Sequence, residues 1–279
     1  MQVIISILNF FKNIFNKSKN NDCVICDNRS TCQTVDKNKR YAIIIGVETS
    51  KWGSCPGSRK DSNMMYDMIS QYTSNIVRLN DSSATVNKVR NALKEQIEKV
   101  TEDGICYITY SGHGGQTQKK SNASNETDGK DEFLCLYDGY ILDDELWTIF
   151  GECKGRIFVV FDCCHSSTMY RLPSEPVDEN LDDAENRIPL EKPFFAKYEN
   201  ARSSHRMLVI SGCGEETVSW GDSIQGGVLT SSLKRAFDKC LTYKEWWNKT
   251  RIDNAFKKVK QVPIATRIGS FDVNSKVFN

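Results

Sequence analysis

The sequence predicts an α/β protein with a mostly parallel central sheet and helices on both of its faces. Short apolar runs rich in β-branched and aromatic residues recur along the chain, for example at 42–47, 105–110 and 156–161. Such runs are typical of buried strands. Amphipathic stretches of helical length lie between them. Strands that alternate with helices form parallel sheets that are covered on both faces.

The predicted strands are short apolar runs that end at turn or polar residues. They lie at 42–47, 76–79, 105–110, 133–136, 156–161 and 207–210, with a last strand near 270–278. The predicted helices have apolar residues at helical spacing, and several begin at an Asp or Thr typical of helix starts. They lie at 61–72, from the start signal 81–85 to about 100, and at 143–150, 229–240 and 243–259.

Composition limits the class of protein. A chain of 279 residues, 39% of them apolar, can bury one substantial core. The net charge of +1 provides no overall field that would attract nucleic acid. Eleven cysteines without a convincing secretory signal indicate mostly reduced thiols and a cytoplasmic protein. No apolar run approaches the roughly 20 residues of a membrane span.

The first 38 residues are predicted to form a separate segment before the main domain, 39–279. Residues 3–15 have the pattern of an amphipathic helix, which either contacts a membrane surface or partner, or packs back on its own domain. Lys12, Lys17 and Lys19 favour anionic lipid. Three thiols follow, Cys23, Cys26 and Cys32. The Cys23-x-x-Cys26 pair is either half of a zinc site or part of a linker with incidental thiols.

Two predicted strands end at reactive side chains. His113 follows the strand at 105–110, and Cys163 and Cys164 follow the strand at 156–161. Open α/β sheets keep their sites at this carboxyl edge. A thiol needs a base to become a thiolate at neutral pH, and imidazole is the usual partner. The pattern therefore suggests a cysteine nucleophile, although alternation along the backbone lets only one of the two thiols face His113.

The surroundings of the imidazole favour catalysis over a purely structural role. Gly112, Gly114 and Gly115 allow a sharp backbone turn, and their main-chain N–H groups could hold an oxyanion. His165 directly follows Cys164 and is a poorer candidate for the base.

These motifs resemble those of metacaspases, within the caspase-like cysteine peptidases. The resemblance rests on Ser-Gly-His-Gly at 111–114 and Asp-Cys-Cys-His-Ser at 162–166, about 50 residues apart, a spacing already described for caspases. Further ordered blocks match at 40–46, 57–61, 131–132, 142–146, 211–213, 226–230 and 261–263. The chain resembles type I metacaspases, but without a clear zinc-finger prodomain. The resemblance implies a caspase-like three-layer sandwich. The implied parts are a large-subunit-like 39–171, a linker 172–206 and a small-subunit-like 207–279.

The resemblance also implies roles for individual residues. Cys164 would be the nucleophile and His113 the general base, with the backbone N–H groups of Gly114 and Cys164 as the oxyanion hole. Asp61, Ser111 and Asp162 match the specificity pocket of the family. Two partly buried carboxylates favour a cationic side chain, so we expect cleavage after Arg or Lys. The structural alternatives are a helix N-cap for Asp61 and a strand-end turn residue for Asp162.

Calcium activation is a further expectation from the resemblance. Asp131, Asp143 and Asp144 match the acidic ligand positions of the family, and carboxylate oxygens suit calcium. Arg171 stands where the family usually has another acid, so either the enzyme is calcium-independent or the site is weak. The alternative for Asp143 and Asp144 is that they charge a helix N-terminus.

The expected partners are protein or peptide substrates with Arg or Lys before the cut, and the protein is expected to be a monomer without bound nucleic acid. The long, proline-containing segment 171–206 suggests self-cleavage after a basic residue. Two other hypotheses are a legumain-like or clostripain-like peptidase of the same fold and a catalytically silent interaction module.

Overall fold

The computed structural model describes residues 36–118, 130–163, 205–213 and 219–278. Several predictions lie outside the described residues, including the helix at 3–15 and the roles of Cys164 and Arg171. The thiols of Cys23, Cys26 and Cys32 and residues 171–204 also lie outside them. Among the described helices, none is long and apolar enough to cross a membrane.

A six-stranded sheet forms the centre of the described fold. Its strands are β1 (Arg40–Gly46), β4 (Ile76–Asn80), β5 (Ile105–Ser111), β9 (Arg156–Asp162), β10 (Arg206–Ser211) and β13 (Ile264–Gly269). The strand order is β13-β10-β9-β5-β1-β4. All neighbouring strands are parallel except β13, which is antiparallel to β10. The prediction of a mostly parallel sheet is confirmed.

Helices cover both faces of this sheet. They are α1 (Ser58–Ile69), α2 (Val86–Glu98), α3 (Asp143–Gly151), α4 (Val228–Ala236), α5 (Tyr243–Arg251) and α6 (Asn254–Val259). Alternate strand residues such as Ile44, Tyr107 and Phe158 point to one face, where they share a core with residues of α1, α4, α5 and α6. The neighbouring residues Ile43 and Ile108 share the opposite core with α2 and α3.

Small antiparallel elements lie outside the central sheet. A three-stranded sheet contains β6 (Gly114–Gln118), β7 (Lys130–Cys135) and β8 (Tyr140–Leu142). Two short hairpins are β2 (Thr49–Ser50) with β3 (Gly53–Ser54), and β11 (Gly221–Asp222) with β12 (Gly226–Gly227). Of these elements only part of β7 was predicted. The hairpin strands have two residues each and carry no hydrophobic period.

Strand register brings polar residues together at the carboxyl edge of the sheet. Gly46 of β1 is opposite Ser111 of β5, and Ser111 is opposite Asp162 of β9. Residues in register on neighbouring strands point to the same face. Ser111 and Asp162 therefore both point to the face that carries α1 and α4.

Three predictions near the C-terminus are wrong in their bounds. The last strand is 264–269, not 270–278. The apolar residues Phe271, Val273 and Val277 imitate a strand pattern, but each is buried separately in the core beside α5. The helix predicted at 243–259 is two helices, because Asp253 accepts a hydrogen bond from the Ala255 N–H (2.9 Å) and starts α6. The helix predicted at 229–240 ends at Ala236, since Phe237 has extended backbone angles.

The helix predicted from Asp61 begins earlier, at Ser58. Gly57 is its N-cap residue, with φ of 101°, a left-handed value that favours glycine. Asp61 is therefore inside the first turns of α1, and its interpretation as an N-cap is wrong.

Candidate active site

His113 lies just after the end of β5, where the chain turns into β6. The backbone carbonyl of His113 accepts hydrogen bonds from the Tyr110 hydroxyl (2.6 Å) and the Cys135 N–H (2.9 Å). A Cβ on Gly112 would lie 2.5 Å from the Tyr110 hydroxyl oxygen, so only glycine fits beside this turn. Two elements thus hold the backbone of the histidine.

One ring nitrogen of His113 already has a partner. Nε2 lies 3.1 Å from the carbonyl oxygen of Ser54 in β3. A carbonyl oxygen only accepts, so Nε2 carries the proton in the neutral ring. Nδ1 is then the nitrogen that can accept a proton, as a general base must. Sequence reasoning missed Ser54, because nothing in its local pattern marks it.

The N–H group of Gly114 is directed away from β7. Hydrogen-bonded and non-hydrogen-bonded pairs alternate along an antiparallel ladder. The bond from Cys135 N–H to His113 O makes these two residues a hydrogen-bonded pair, so the next pair, Gly114 and Leu134, is non-hydrogen-bonded. The Gly114 N–H is therefore available next to the imidazole, as an oxyanion donor should be.

The two adjacent thiols differ in what the structure describes. Cys163 is 2% exposed and belongs to the core on the α2 face. Its side chain is thus committed to packing on the face opposite to Asp162. Cys164 is outside the described residues, but the burial of Cys163 supports the choice of Cys164 as the nucleophile.

Asp61, Ser111 and Asp162 come together at the carboxyl edge of the sheet. The Ser111 hydroxyl donates to Asp61 Oδ2 (2.6 Å), and the Gly227 N–H donates to Asp61 Oδ1 (2.8 Å). Both carboxylates are almost completely buried, with 2% of Asp61 and 6% of Asp162 exposed. The three residues come from α1, β5 and β9, so the fold alone brings them together.

Asp162 is held by residues that the sequence analysis did not assign to the site. Its Oδ1 accepts from the Ser219 hydroxyl (2.6 Å). Its Oδ2 accepts from both the N–H and the hydroxyl of Thr230, each at 2.9 Å. Thr230 lies in the first turn of α4, and the N-cap residue of this helix, Gly227, has no side chain to cap it. The Asp162 side chain, on β9, therefore caps the N-terminus of α4. Its interpretation as a strand-end turn residue is wrong.

The two carboxylates are close enough to affect each other. A Cβ on Gly227 would lie 2.1 Å from Asp162 Oδ2 and 2.8 Å from Asp61 Oδ2, so the separation of the two oxygens is at most the sum of these distances. Burial, and then the charge of Asp162, raise the pKa of Asp61 well above its usual value. Burial also raises the pKa of Asp162, although the bonds from Ser219 and Thr230 act in the opposite direction.

Gln261 connects the residues around Asp162. It is 3% exposed, and its side-chain nitrogen donates to the carbonyl oxygen of Gly212 (2.6 Å) while its oxygen accepts from the Trp220 N–H (3.0 Å). The same nitrogen lies 3.3 Å from the Ser219 hydroxyl. The blocks 226–230 and 261–263 supported the family resemblance, but nothing in them indicated that Thr230 and Gln261 support Asp162.

Two of the acids expected to bind calcium lie on α3, which packs on the face of the sheet opposite to this pocket. Asp143 and Asp144 begin α3, where Asp143 is 1% exposed. The side chain of Asp131, on β7, is outside the described residues. Within the described part of the chain, no group of three or more His, Cys, Asp or Glu side chains could hold a metal ion. The three-acid calcium site that the resemblance implies therefore stays a prediction.

Comparison with known proteins assigns the class. Residues 39–270 match the model of the caspase domain, peptidase family C14, and the chain belongs to this family. Within it the chain is metacaspase-like: it is 31% identical over 153 residues to metacaspase-1 of Pyricularia oryzae, and 31% identical over 183 residues to metacaspase-3 of Trypanosoma cruzi. These alignments cover 48% and 57% of this chain, and only 38% and 48% of the relatives.

Solved structures support the fold. The protein GSU0716 from Geobacter sulfurreducens matches with a TM-score of 0.64 and 21% identity, over 86% of this chain and 98% of that protein. Caspase-1 from Spodoptera frugiperda matches with a TM-score of 0.55 and 12% identity, over 88% of this chain and 93% of that protein. The predicted caspase-like α/β sandwich is confirmed.

Proposed function

We propose that this chain is a cysteine endopeptidase that cleaves peptide bonds after Arg or Lys. The observation that carries the specificity is the pair of buried carboxylates, Asp61 and Asp162, at the same sheet edge as His113. A buried acidic pair with no described basic side chain bonded to it favours a cation from the substrate. Membership of the caspase-domain family supports the peptidase chemistry.

The proposed reaction is acyl transfer through a thioester. His113 Nδ1 accepts the proton of the Cys164 thiol, and the thiolate attacks the carbonyl carbon of the residue before the cut. The N–H groups of Gly114 and Cys164 donate to the oxyanion that forms. The imidazolium then gives its proton to the leaving amine, and water hydrolyses the thioester to release the acid and restore the thiol.

The test is a comparison of peptides that differ only in the residue before the scissile bond. We expect turnover of Arg and Lys peptides and none of the Asp or Asn peptides, with the Cys164→Ala variant as the inactive control. Faster cleavage of the Asp peptide contradicts the specificity. Faster cleavage of the Asn peptide favours a legumain-like enzyme, and a strict preference for Arg over Lys favours a clostripain-like one.

A second measurement separates an enzyme from a catalytically silent interaction module. An active-site-directed probe with Arg at its recognition position should label the wild type at Cys164 and should not label Cys164→Ala. An unlabelled wild type with a normal melting temperature supports the interaction module instead.

Calcium activation is a separate proposal. Asp143 and Asp144 offer the hard oxygen donors that calcium prefers, on the first turn of α3. We expect higher activity and a higher melting temperature in millimolar calcium than in chelator. The Asp144→Asn variant should lose both effects. Equal activity and stability in the two conditions contradict the proposal.

A further inference from the structure

The two carboxylates of the specificity pocket have different surroundings. Asp162 accepts three hydrogen bonds, from Ser219 and twice from Thr230. One of these donors is the third backbone N–H of α4, so the positive end of a helix dipole also faces Asp162. Every one of these interactions favours the ionised form of Asp162.

Asp61 receives less support for a negative charge. It accepts one hydrogen bond from the backbone of Gly227, and its other partner is the Ser111 hydroxyl. A hydroxyl can reverse its role and accept a hydrogen bond, so it also tolerates a protonated carboxyl group. Both carboxyl groups are almost completely buried, so burial disfavours the charged form of each, and Asp162 has more hydrogen-bond donors to offset it.

The charged groups around Asp61 do not neutralise it. The negative charges of Asp162 on β9 and of Glu48, after β1, both act against its ionisation. The neighbouring cations on α1 are directed elsewhere: Arg59 pairs with Asp81, and Lys60 donates to the carbonyl oxygen of Ile224. The groups that face Asp61 from β5 and β12 are neutral, namely the Ser111 hydroxyl and the Gly227 N–H.

We infer that Asp61 carries a proton in the empty pocket while Asp162 stays ionised, and that a bound Arg or Lys side chain displaces this proton to solvent. This inference rests on the proposed specificity. The cation takes the place of the proton as the partner of Asp61, so the pocket holds one negative charge when empty and two when occupied. Ser219 and Thr230 act as positioning residues, because they keep Asp162 ionised and direct the proton to Asp61.

The experiment compares two substrates of equal shape and different charge. One peptide has Arg before the cut, and the other has citrulline, its neutral isostere. We expect the ratio of their kcat/KM values to rise with pH, by up to tenfold per pH unit, until Asp61 is ionised in the free enzyme. Ionisation of the Cys164–His113 pair affects both substrates alike and therefore cancels in the ratio.

Two threonine variants test the positioning role. Thr230→Val removes one donor to Asp162, so the pair should hold its proton more tightly, and the rise of the ratio should move to higher pH. Thr250→Val is the matched control, since Thr250 is also fully buried and its hydroxyl donates to the Trp246 carbonyl (2.8 Å), away from the pocket. The control should leave the position of the rise unchanged.

The outcomes separate this inference from the proposed specificity. A ratio near one at every pH contradicts the preference for basic residues itself. A high ratio that is constant between pH 5 and 8 leaves the preference intact and contradicts the proton exchange. A rise that moves equally in Thr230→Val and Thr250→Val contradicts the positioning role of Thr230.

Discussion

The carboxyl group of Asp61, which is proposed to bind the substrate cation, lowers the stability of the folded protein at neutral pH. Its buried carboxyl group has a raised pKa in the folded protein. The folded state therefore retains a proton that the unfolded state has released at pH values between the ordinary and the raised pKa. Stability falls as pH rises through this window.

Asp61→Asn should consequently stabilise the folded protein. The amide keeps an acceptor for Gly227 and gives Ser111 a donor, and it has no charge to bury. We expect a gain of about 1 kcal/mol near pH 7.5, or about 2–4 °C in melting temperature for a domain of this size. The gain should shrink as pH falls and disappear only below the ordinary pKa of 3.8, at about pH 3, where the wild-type carboxyl group is mostly neutral in both states.

Thermal unfolding at the two pH values, in a Cys164→Ala background, checks this prediction. In the active enzyme, Asp61→Asn should raise KM for the Arg peptide. A variant less stable than its parent at pH 7.5 would show that the carboxylate charge is needed for folding.

His113 is predicted to be needed for chemistry and not for stability. Its side chain is partly exposed and has one described hydrogen bond, from Nε2 to Ser54 O. His113→Ala should lower kcat for an Arg peptide by about 10²–10⁴-fold, the usual contribution of a general base. Its melting temperature should stay close to that of the wild type, and KM should change little. A variant that keeps full kcat would remove His113 from the mechanism.

At the scale of elements, β12 lies against both carboxyl groups of the pocket, Asp61 and Asp162. Gly227 contributes an N–H to Asp61, and an added Cβ would lie 2.1 Å from Asp162 Oδ2. Real Cβ contacts are not this short, and the opposing atoms belong to side chains that hydrogen bonds hold in place. The element must therefore present glycine at this position.

Gly227→Ala should displace β12 or Asp162 and reduce kcat/KM for an Arg peptide by at least tenfold. Gly151→Ala at the end of α3 is the matched control, because its added Cβ would meet only the His205 ring at 3.4 Å, an ordinary contact. Kinetics of both variants with the Arg peptide give the comparison. Equal kcat/KM values for the two variants would show that β12 can adapt.

Patterns within single elements explain which parts were predictable. Apolar runs such as 105–110 are long enough to identify β5 and to place His113 at its end. Asp61, Ser111 and Asp162 were assigned through the family resemblance, and the strand register then explains why Ser111 and Asp162 lie side by side on the same face of the sheet. Their location could follow from the sequence because each lies in or next to a regular element.

The supporting residues could not be predicted for a physical reason. Thr230 and Gln261 reach Asp162 and its surroundings from positions far away along the chain, and only tertiary packing sets these contacts. Ser54 lies in a hairpin of two-residue strands, which has no hydrophobic period. The helix break at Asp253 was missed because the apolar pattern of 243–259 continues across it.

At the scale of the whole molecule, the sheet joins two parts of the chain. β9 belongs to the part before residue 171, and β10 and β13 belong to the part that begins at residue 206. β10 pairs with β9 over five residue pairs, from Met207 and Ile157 to Ser211 and Phe161. Residues of both parts also share each core, for example Phe158 with Trp246 on one face and Val159 with Met207 on the other.

We therefore expect that cleavage between residues 171 and 206, by the protein itself or by another protease, leaves the two parts associated. Cutting a peptide bond outside the buried strand pairing and the shared cores removes none of the contacts within them. Cleaved protein should elute as one species in size-exclusion chromatography and separate into two fragments only in denaturant. Cys164→Ala, cut in the same segment by added trypsin, is the control for association without self-cleavage. Fragments that separate under native conditions would show that the continuous chain, rather than the sheet, holds the two parts together.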